Sequence, residues 1–488
     1  MPPAQSESDT NTGLLRRDWS DRRAPDDRAL LERDSAVYLH QAVSTPCLTS
    51  IAGAEGVHLI ATDGRRYLDF HGNSAHQIGY GHPRLVSALT KQLVDLPFVP
   101  RRFTSPVSTA FAEKLVEVTP EPLTRVLLTT GGSDAVEVAL KLARAKTGRF
   151  KTLSFWESFH GAGFGAASVG GEQLFRSGPI GPLLSGTEHV PPIGCFRAAF
   201  GASHRFDEPH TPDCGRELAR LIDYTLRVQG DVAAVIAEPM RATPEMAAPG
   251  FWASIRRSCD ETGTVLIFDE IPTGLGRTGR MFASEHEAVV PDILVLGKGL
   301  GGAAMPVAAV VAREEFDVGE SWAFGHYTHE KNPLMARAGL TTLQIIEDEG
   351  LVERSARLGE HALERARGLA ATYDVIGDVR GRGLMLALEI VDPSDPSAPA
   401  GPSGPSAPAS PSGPSDSAGP SGPSDFGNRP RPAPAVAEAV MYAALERGLS
   451  FKTTMGSILT LAPPLIITLD QLDEAFDVLD ASFEEVLG

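Results

Sequence analysis

The sequence predicts an α/β fold with a mostly parallel sheet covered on both faces. Three observations carry this. "TRVLLTT", "FKTLSF", "DVAAVIAEP", "GTVLIFDE" and "DILVLG" are apolar runs of strand length. Most are separated by segments with helical spacing, such as "DAVEVALKLARAK", 214–228 and 251–262. Strands buried on both faces read as continuous apolar runs rather than as alternation. The 488 residues, 42% of them hydrophobic and 22% charged, are enough for two or three packed units.

The flanking elements follow in chain order. Residues 1–30 are polar and charged, a mobile arm or a surface helix. "GVHLIATDGRRYLDF" reads as a hairpin turning at Asp63-Gly64. "PRLVSALTKQLVD" at 83–95 has helical spacing after a proline suited to a first helical turn. After residue 333 come a long helical stretch to 371 and a strand-rich segment, "DVIGDVRGRGLMLALEIV". The Pro/Ser/Gly/Ala tract that follows cannot bury enough apolar surface to order itself. Helix and strand patterns resume at 435, so the tract reads as a disordered insertion within one C-terminal unit.

Composition narrows the function. A net charge of −18 argues against a broad nucleic-acid or acidic-membrane surface, though not against a local basic pocket for a small anion. Cys47, Cys195, Cys214 and Cys259 show neither CxxC spacing nor a Cys/His frame, so a disulfide framework and a metal site are not expected. The N-terminus lacks the apolar core of a signal peptide, and no run approaches the ~20 residues of a membrane helix. A cytoplasmic protein is expected.

Four features suggest chemistry. Asp269 ends the run "VLIFD", and a carboxylate emerging from a buried strand needs a partner. Lys298 ends the next run, between glycines in "LGKGLGG". Alone, the first is an ordinary N-cap or ion pair and the second a loop lysine; an acid and an amine on successive strand ends are more informative. In "TTGGSDAVEVALKLAR" a strand runs through Gly132 and Ser133 into a helix, whose first amides form an anion site. Phe159 and His160, in "SFHGAGFGA", stand at another strand end, where an aromatic plate could cover a flat ring. Pyridoxal 5′-phosphate uses all four features. Lys298 would tether its aldehyde, Asp269 would keep its ring nitrogen protonated, and the helix start would take its phosphate.

At "DEIPTGLGRTG" and "PDILVLGKGLGGAAMPVAAVV" the chain resembles the class III aminotransferases, pyridoxal-phosphate enzymes of fold type I, from about residue 35 to the end. The resemblance implies an N-terminal arm at 1–34, a small domain from 35–95 and 333–488 with the insertion at 392–435, and a large cofactor domain at 96–332. It implies that Gly132 and Ser133 bind phosphate, Phe159 stacks on the ring, Glu238 stands on the substrate side, and Thr328 reaches the phosphate of a neighbouring subunit in a homodimer. Three departures stand out. Pro272 replaces a glutamine that contacts the ring hydroxyl. Thr460 occupies the position before Pro463-Pro464 where many members carry an arginine for a substrate carboxylate. His329, Glu330 and Lys331 crowd a loop usually built from small residues.

"FHGNSAHQIGYGHPR", "LPFVPRRFTS", "GHYTHEKNP" and "GLSFKTTMG" resemble a narrower group, the bacterial (R)-1-hydroxy-2-aminoethylphosphonate ammonia-lyases. That resemblance implies elimination to phosphonoacetaldehyde and ammonia with no keto-acid acceptor. Transfer of an amino group from an ω-amine or amino acid to a keto acid is the alternative. A substrate with an anionic head needs cations: Arg101, Arg102 and Lys331 are the leading candidates, with His329 and Lys452 behind them.

Overall fold

The computed structural model describes residues 13–42, 44–196, 199–200, 214–395 and 430–488. Two helices open it, α1 (Leu14–Asp21) and α2 (Pro25–Val37), followed by strands β1 (Ile51–Glu55), β2 (His58–Ala61) and β3 (Arg66–Asp69). Helices α3 (Pro83–Asp95) and α4 (Pro106–Val118) lead to β4 (Leu123–Thr129), α5 (Gly132–Thr147), β5 (Lys151–Phe155), α6 (Phe164–Val169) and β6 (Thr187–Val190). Then come α7 (Arg216–Gln229), β7 (Val232–Ala237), α8 (Phe251–Thr262), β8 (Val265–Asp269), β9 (Ile293–Leu296) and β10 (Ala308–Arg313). The remainder is α9 (Pro333–Asp348), α10 (Leu351–Thr372), β11 (Ile376–Arg382), β12 (Met385–Ile390), α11 (Pro434–Glu446), β13 (Leu449–Ser450), β14 (Lys452–Thr454), β15 (Ile458–Leu461) and α12 (Leu469–Leu487).

The predicted α/β core is a seven-stranded sheet in the order β4-β10-β9-β8-β7-β5-β6. The pairs β9–β8–β7–β5–β6 are parallel, and β10 runs against both β9 and β4. Both faces are covered. On one, Val136, Ala139 and Ala143 of α5 join Ile236, Ile267 and Val295 in a buried cluster. On the other, Trp252 of α8 sits edge-on to Phe155 and Phe268. Helix α5 ends at Gly148 with φ 66°, a left-handed cap that stops the helix before β5.

Two four-stranded sheets flank this core, β1-β2-β3-β13 and β11-β12-β15-β14. The predicted hairpin is there, with β2 antiparallel to β3. β3 then pairs in parallel with β13, about 380 positions later, a contact that no local pattern reveals. The strands on either side of the Pro/Ser/Gly tract share one sheet, β12 pairing with β15. Residues 396–429 of the tract lie outside the described residues. Its edges meet: Val391 bridges Pro432, and Asp392 N–H donates to the Arg431 carbonyl at 2.8 Å.

One expectation changes. The helical stretch expected across 333–371 is two helices, broken where Gly350 adopts φ 58°. The described part of the N-terminal arm is helical, the second of the two readings of residues 1–30, and it is docked. Trp19 is fully buried, its indole N–H bonded to the Leu48 carbonyl at 3.1 Å and its ring tilted against Tyr442. Among the described residues, no disulfide joins any of the four cysteines and no helix is long and apolar enough to cross a membrane.

Candidate active site

The site forms at the carboxyl ends of three adjacent strands, where parallel sheets open onto their ligand crevices. β7, β8 and β9 are neighbours, with Ala237 opposite Phe268 and Asp269 opposite Val295. Glu238, Asp269 and Lys298 therefore leave the sheet side by side. Asp269 is buried; one carboxylate oxygen accepts from Ile271 N–H at 3.1 Å and the other pairs with His160 Nδ1 at 2.8 Å. His160 lies beyond β5, two strands away, and is buried with no hydrogen-bond partner at Nε2.

Lys298 opens a short 3-10 turn, Lys298–Gly301, at φ 44°. A lysine in left-handed backbone stores strain, and such strain gathers at functional sites. It lies deep in the molecule, yet its side chain faces an open cleft rather than sealed core. Burial lowers the proton affinity of its amine, Asp269 and Glu238 oppose that shift, and Lys452 adds to it. Glu238 is held above the usual carboxylate range, chiefly by burial; Asp269 pushes the same way, while His160, Arg241 and Lys298 pull it back. The amine, two carboxylates and imidazole thus act on one another in a single site.

The start of α5 meets this site from the strand β4 side. No side chain caps that helix, so its first amides have no internal acceptor. Ser133 Oγ accepts from Ala162 N–H at 3.0 Å. Two glycines permit close approach: a Cβ on Gly132 would come within 2.6 Å of Ile271, and one on Gly161, at φ 129°, within 2.5 Å of Ser133 Oγ. Phe159 is 41% exposed, its ring leaning on Phe175 at 4.6 Å.

The other predicted residues lie in two loops that meet each other. His329 packs edge-on to Phe98, and the Asn332 side chain donates to the Pro97 carbonyl at 3.3 Å. Arg101 and Glu330 line one cavity of about 430 Å³, together with Trp322 and His326. Arg102 is exposed over the Phe103 ring. Thr328 and Lys331 are exposed in the turn before α9. None of these loop cations is among the groups that shift the Lys298 amine; the cation that does so is Lys452.

Sequence reasoning gave no role to the segment 71–77, which packs against the turn that Lys298 opens. Gln77 is fully buried, both ends of its amide lack partners, and its side chain lies so close to Gly299 that a Cβ there would overlap it. The string "FHGNSAHQIGYGHPR" carries part of the resemblance to the ammonia-lyases, but a neighbour more than 200 positions away leaves no local signal.

The family model for class III aminotransferases matches residues 39–483, and the chain belongs to that family. It is 38% identical to an (R)-1-hydroxy-2-aminoethylphosphonate ammonia-lyase of Vibrio splendidus, across 99% of this chain and 95% of that one. It is 30% identical to a leucine/methionine racemase of Thermococcus litoralis, covering 94% and 95%. Among solved structures, a Bacillus anthracis aminotransferase superposes with a TM-score of 0.79 at 27% identity, covering 94% of this chain and 98% of that one. A PLP-bound amine transaminase from an uncultivated Pseudomonas species gives 0.77 at 28%, covering 92% and 98%. The chain is a pyridoxal-phosphate-dependent enzyme of fold type I. Its residues fit the cofactor: an amine at a strained strand end, a buried carboxylate on the adjacent strand, and an uncapped helix start with no Cβ at two close approaches.

Proposed function

We propose that this enzyme is an ammonia-lyase that converts (R)-1-hydroxy-2-aminoethylphosphonate, or a close relative with an anionic head, into phosphonoacetaldehyde and ammonia. The observation that carries the reading is the 38% identity to an enzyme of that activity over nearly the whole of both chains. Thr460, buried and hydrogen-bonded to Thr454 at 2.8 Å, is neutral where a keto-acid user of this family is expected to hold a carboxylate-binding arginine.

In this reading Lys298 holds the cofactor aldehyde, Asp269 the ring nitrogen, and Gly132, Ser133 and the first amides of α5 the phosphate. When bound, the cofactor supplies an electron sink for the carbon bearing the substrate nitrogen. The chain's residues supply the proton traffic. Lys298, its basicity lowered by burial, is the base for the C–H next to nitrogen and the acid that returns a proton. The hydrogen bond with His160 keeps Asp269 aimed. Glu238 stands beside both on the substrate side. The β-hydroxyl leaves with a proton as water, the neighbouring carbon regains a proton, and water re-enters as nitrogen departs. The sum is one amino alcohol giving one aldehyde and one ammonia, so no acceptor is consumed.

We further infer a homodimer. The exposed Phe98, Phe103 and Trp322 near the Arg101 and Glu330 loops supply apolar surface for a partner, and Thr328 and Lys331 stand in the same region. The test of function is incubation of purified enzyme with the hydroxy-aminophosphonate and no keto acid. Ammonia and aldehyde should appear in equal amounts. Amino-group turnover that strictly requires pyruvate or 2-oxoglutarate overturns the reading in favour of transamination, the activity named for the superposed structures.

A further inference from the structure

We propose that Lys452, with His71 beside it, forms the subsite that holds the substrate's anionic head, and that this subsite is built for a tetrahedral dianion rather than a planar carboxylate. The proposal rests on the reading that the substrate carries such a head.

The strand register places the two residues together. β13 and β3 run parallel with Ser450 opposite Asp69, and Phe70 N–H donates to the Ser450 carbonyl at 2.7 Å. Two residues past that pair on each strand come Lys452 and His71, leaving the same end of the sheet. Ala462 N–H donates to the Phe70 carbonyl at 2.7 Å, which ties the end of β15 to the same spot. Across the β14–β15 ladder Lys452 faces Thr460, a neutral residue already engaged with Thr454.

This corner faces the reacting amine. The chain just past His71 closes over the Lys298 turn, with the Gln77 side chain lying on Gly299. Lys452 is the cation that acts on the Lys298 amine, and both lysines act on His71. A head group at Lys452 therefore belongs to the same small molecule as an amine at Lys298.

The chemistry of the corner calls for an anion. Lys452 is half-buried, and no carboxylate among the described residues lies within ion-pair distance of it; Glu172 acts only through its field. A partly desolvated ammonium without a partner is costly, and a bound anion removes that cost. Burial, reinforced by Lys452, pushes His71 down to about 4 against the opposing pull of Asp69 and a side-chain hydrogen bond to Asn73. At pH 7 it therefore adds no second charge, and a head group would share its ring N–H with Asn73. An ammonium presents three donors from a point and can reach separate oxygens of a phosphonate or phosphate group, as phosphate-binding lysines do.

Calorimetric titration of the cofactor-loaded enzyme with ethylphosphonate and with propanoate tests this. Neither probe carries an amine or a β-hydroxyl, so the result does not depend on whether the enzyme eliminates or transaminates. Wild-type enzyme should bind ethylphosphonate tighter than propanoate. Lys452→Met should weaken ethylphosphonate at least tenfold, Lys452→Arg should restore part of the loss, and His71→Phe should weaken it severalfold. Lys452→Gln serves if the Met variant loses its cofactor chromophore or its fold. Wild-type enzyme that does not bind ethylphosphonate, or a folded Met or Gln variant that binds it as wild type does, overturns the subsite. Absence of ammonia release from the hydroxy-aminophosphonate, with this binding pattern intact, overturns only the proposed reaction.

Discussion

The chemistry at the residue scale depends on Lys298 and its neighbours. Lys298→Ala should abolish the visible Lys-linked cofactor absorbance and lower turnover by roughly a thousandfold or more; a surviving Lys-linked chromophore would mean that another amine is the tether. Asp269→Asn should lower kcat by about 10²–10⁴ with the fold intact, since an amide cannot hold a proton on the ring nitrogen. His160 acts through Asp269, to which its Nδ1 is paired. His160→Gln should lower kcat by about tenfold with little change in KM, and should shift the pH profile of the bound cofactor's absorbance. An unchanged profile would leave His160 as packing only. Lys298 and Asp269 were legible in the sequence because each ends an apolar run, and a polar side chain there needs a reason. Gln77 and His71 were not legible. Gln77 takes its meaning from a contact with Gly299 and His71 from the parallel pairing of β3 with β13, and neither long-range contact leaves a period to read.

Secondary-structure elements explain both what was foreseen and what was missed. Five of the large sheet's seven strands were visible as apolar runs because helices cover both of its faces; β6 and β10 were not singled out. The small strands β13, β14 and β15 are two to four residues long, too short for any periodicity. Yet they hold the head-group corner: where the family resemblance led to an expected arginine on β15, the positive charge stands one strand over, on β14. The junction of β5 and β6 gives a stability prediction. His189 on β6 stacks on Trp156, Arg176 lies over the same indole, and one imidazole nitrogen meets the Gly170 carbonyl at 2.9 Å. Burial and then Arg176 push His189 down to about 4. The folded state therefore binds this proton less tightly than the unfolded chain does. The contribution is complete above the unfolded value near 6.5 and is lost as pH falls towards 4. His286, pushed down to about 4 by burial and Arg382, acts in the same direction. The thermal midpoint should fall across that window. His189→Gln should flatten the fall by on the order of 1–2 kcal/mol, and an unchanged slope would remove His189 from the account.

For the whole molecule, the long Pro/Ser/Gly tract is the feature most easily mistaken for a domain boundary. Its edges are tied by the Val391–Pro432 bridge and by Arg431 paired with Asp392 at 2.8 Å. Replacing residues 396–429 with a short Gly/Ser linker should leave the thermal midpoint within a few degrees and the cofactor absorbance unchanged, because loop-closure entropy varies slowly with length. A large loss of stability would assign the tract a structural role. The burial of Trp19 against Tyr442 has the opposite consequence for the N-terminus: Trp19→Ala should destabilise the fold by about 3–5 kcal/mol, read by denaturant titration.

The contact between Gln77 and Gly299 reaches further than its size suggests. With no clearance there for even a methyl group, the buried Gln77 amide occupies the space that a side chain on Gly299 would need. A side chain added at Gly299 must therefore displace either Gln77 or the turn that Lys298 opens. Glycine at 299 is thus a condition of fit between two segments more than 200 positions apart.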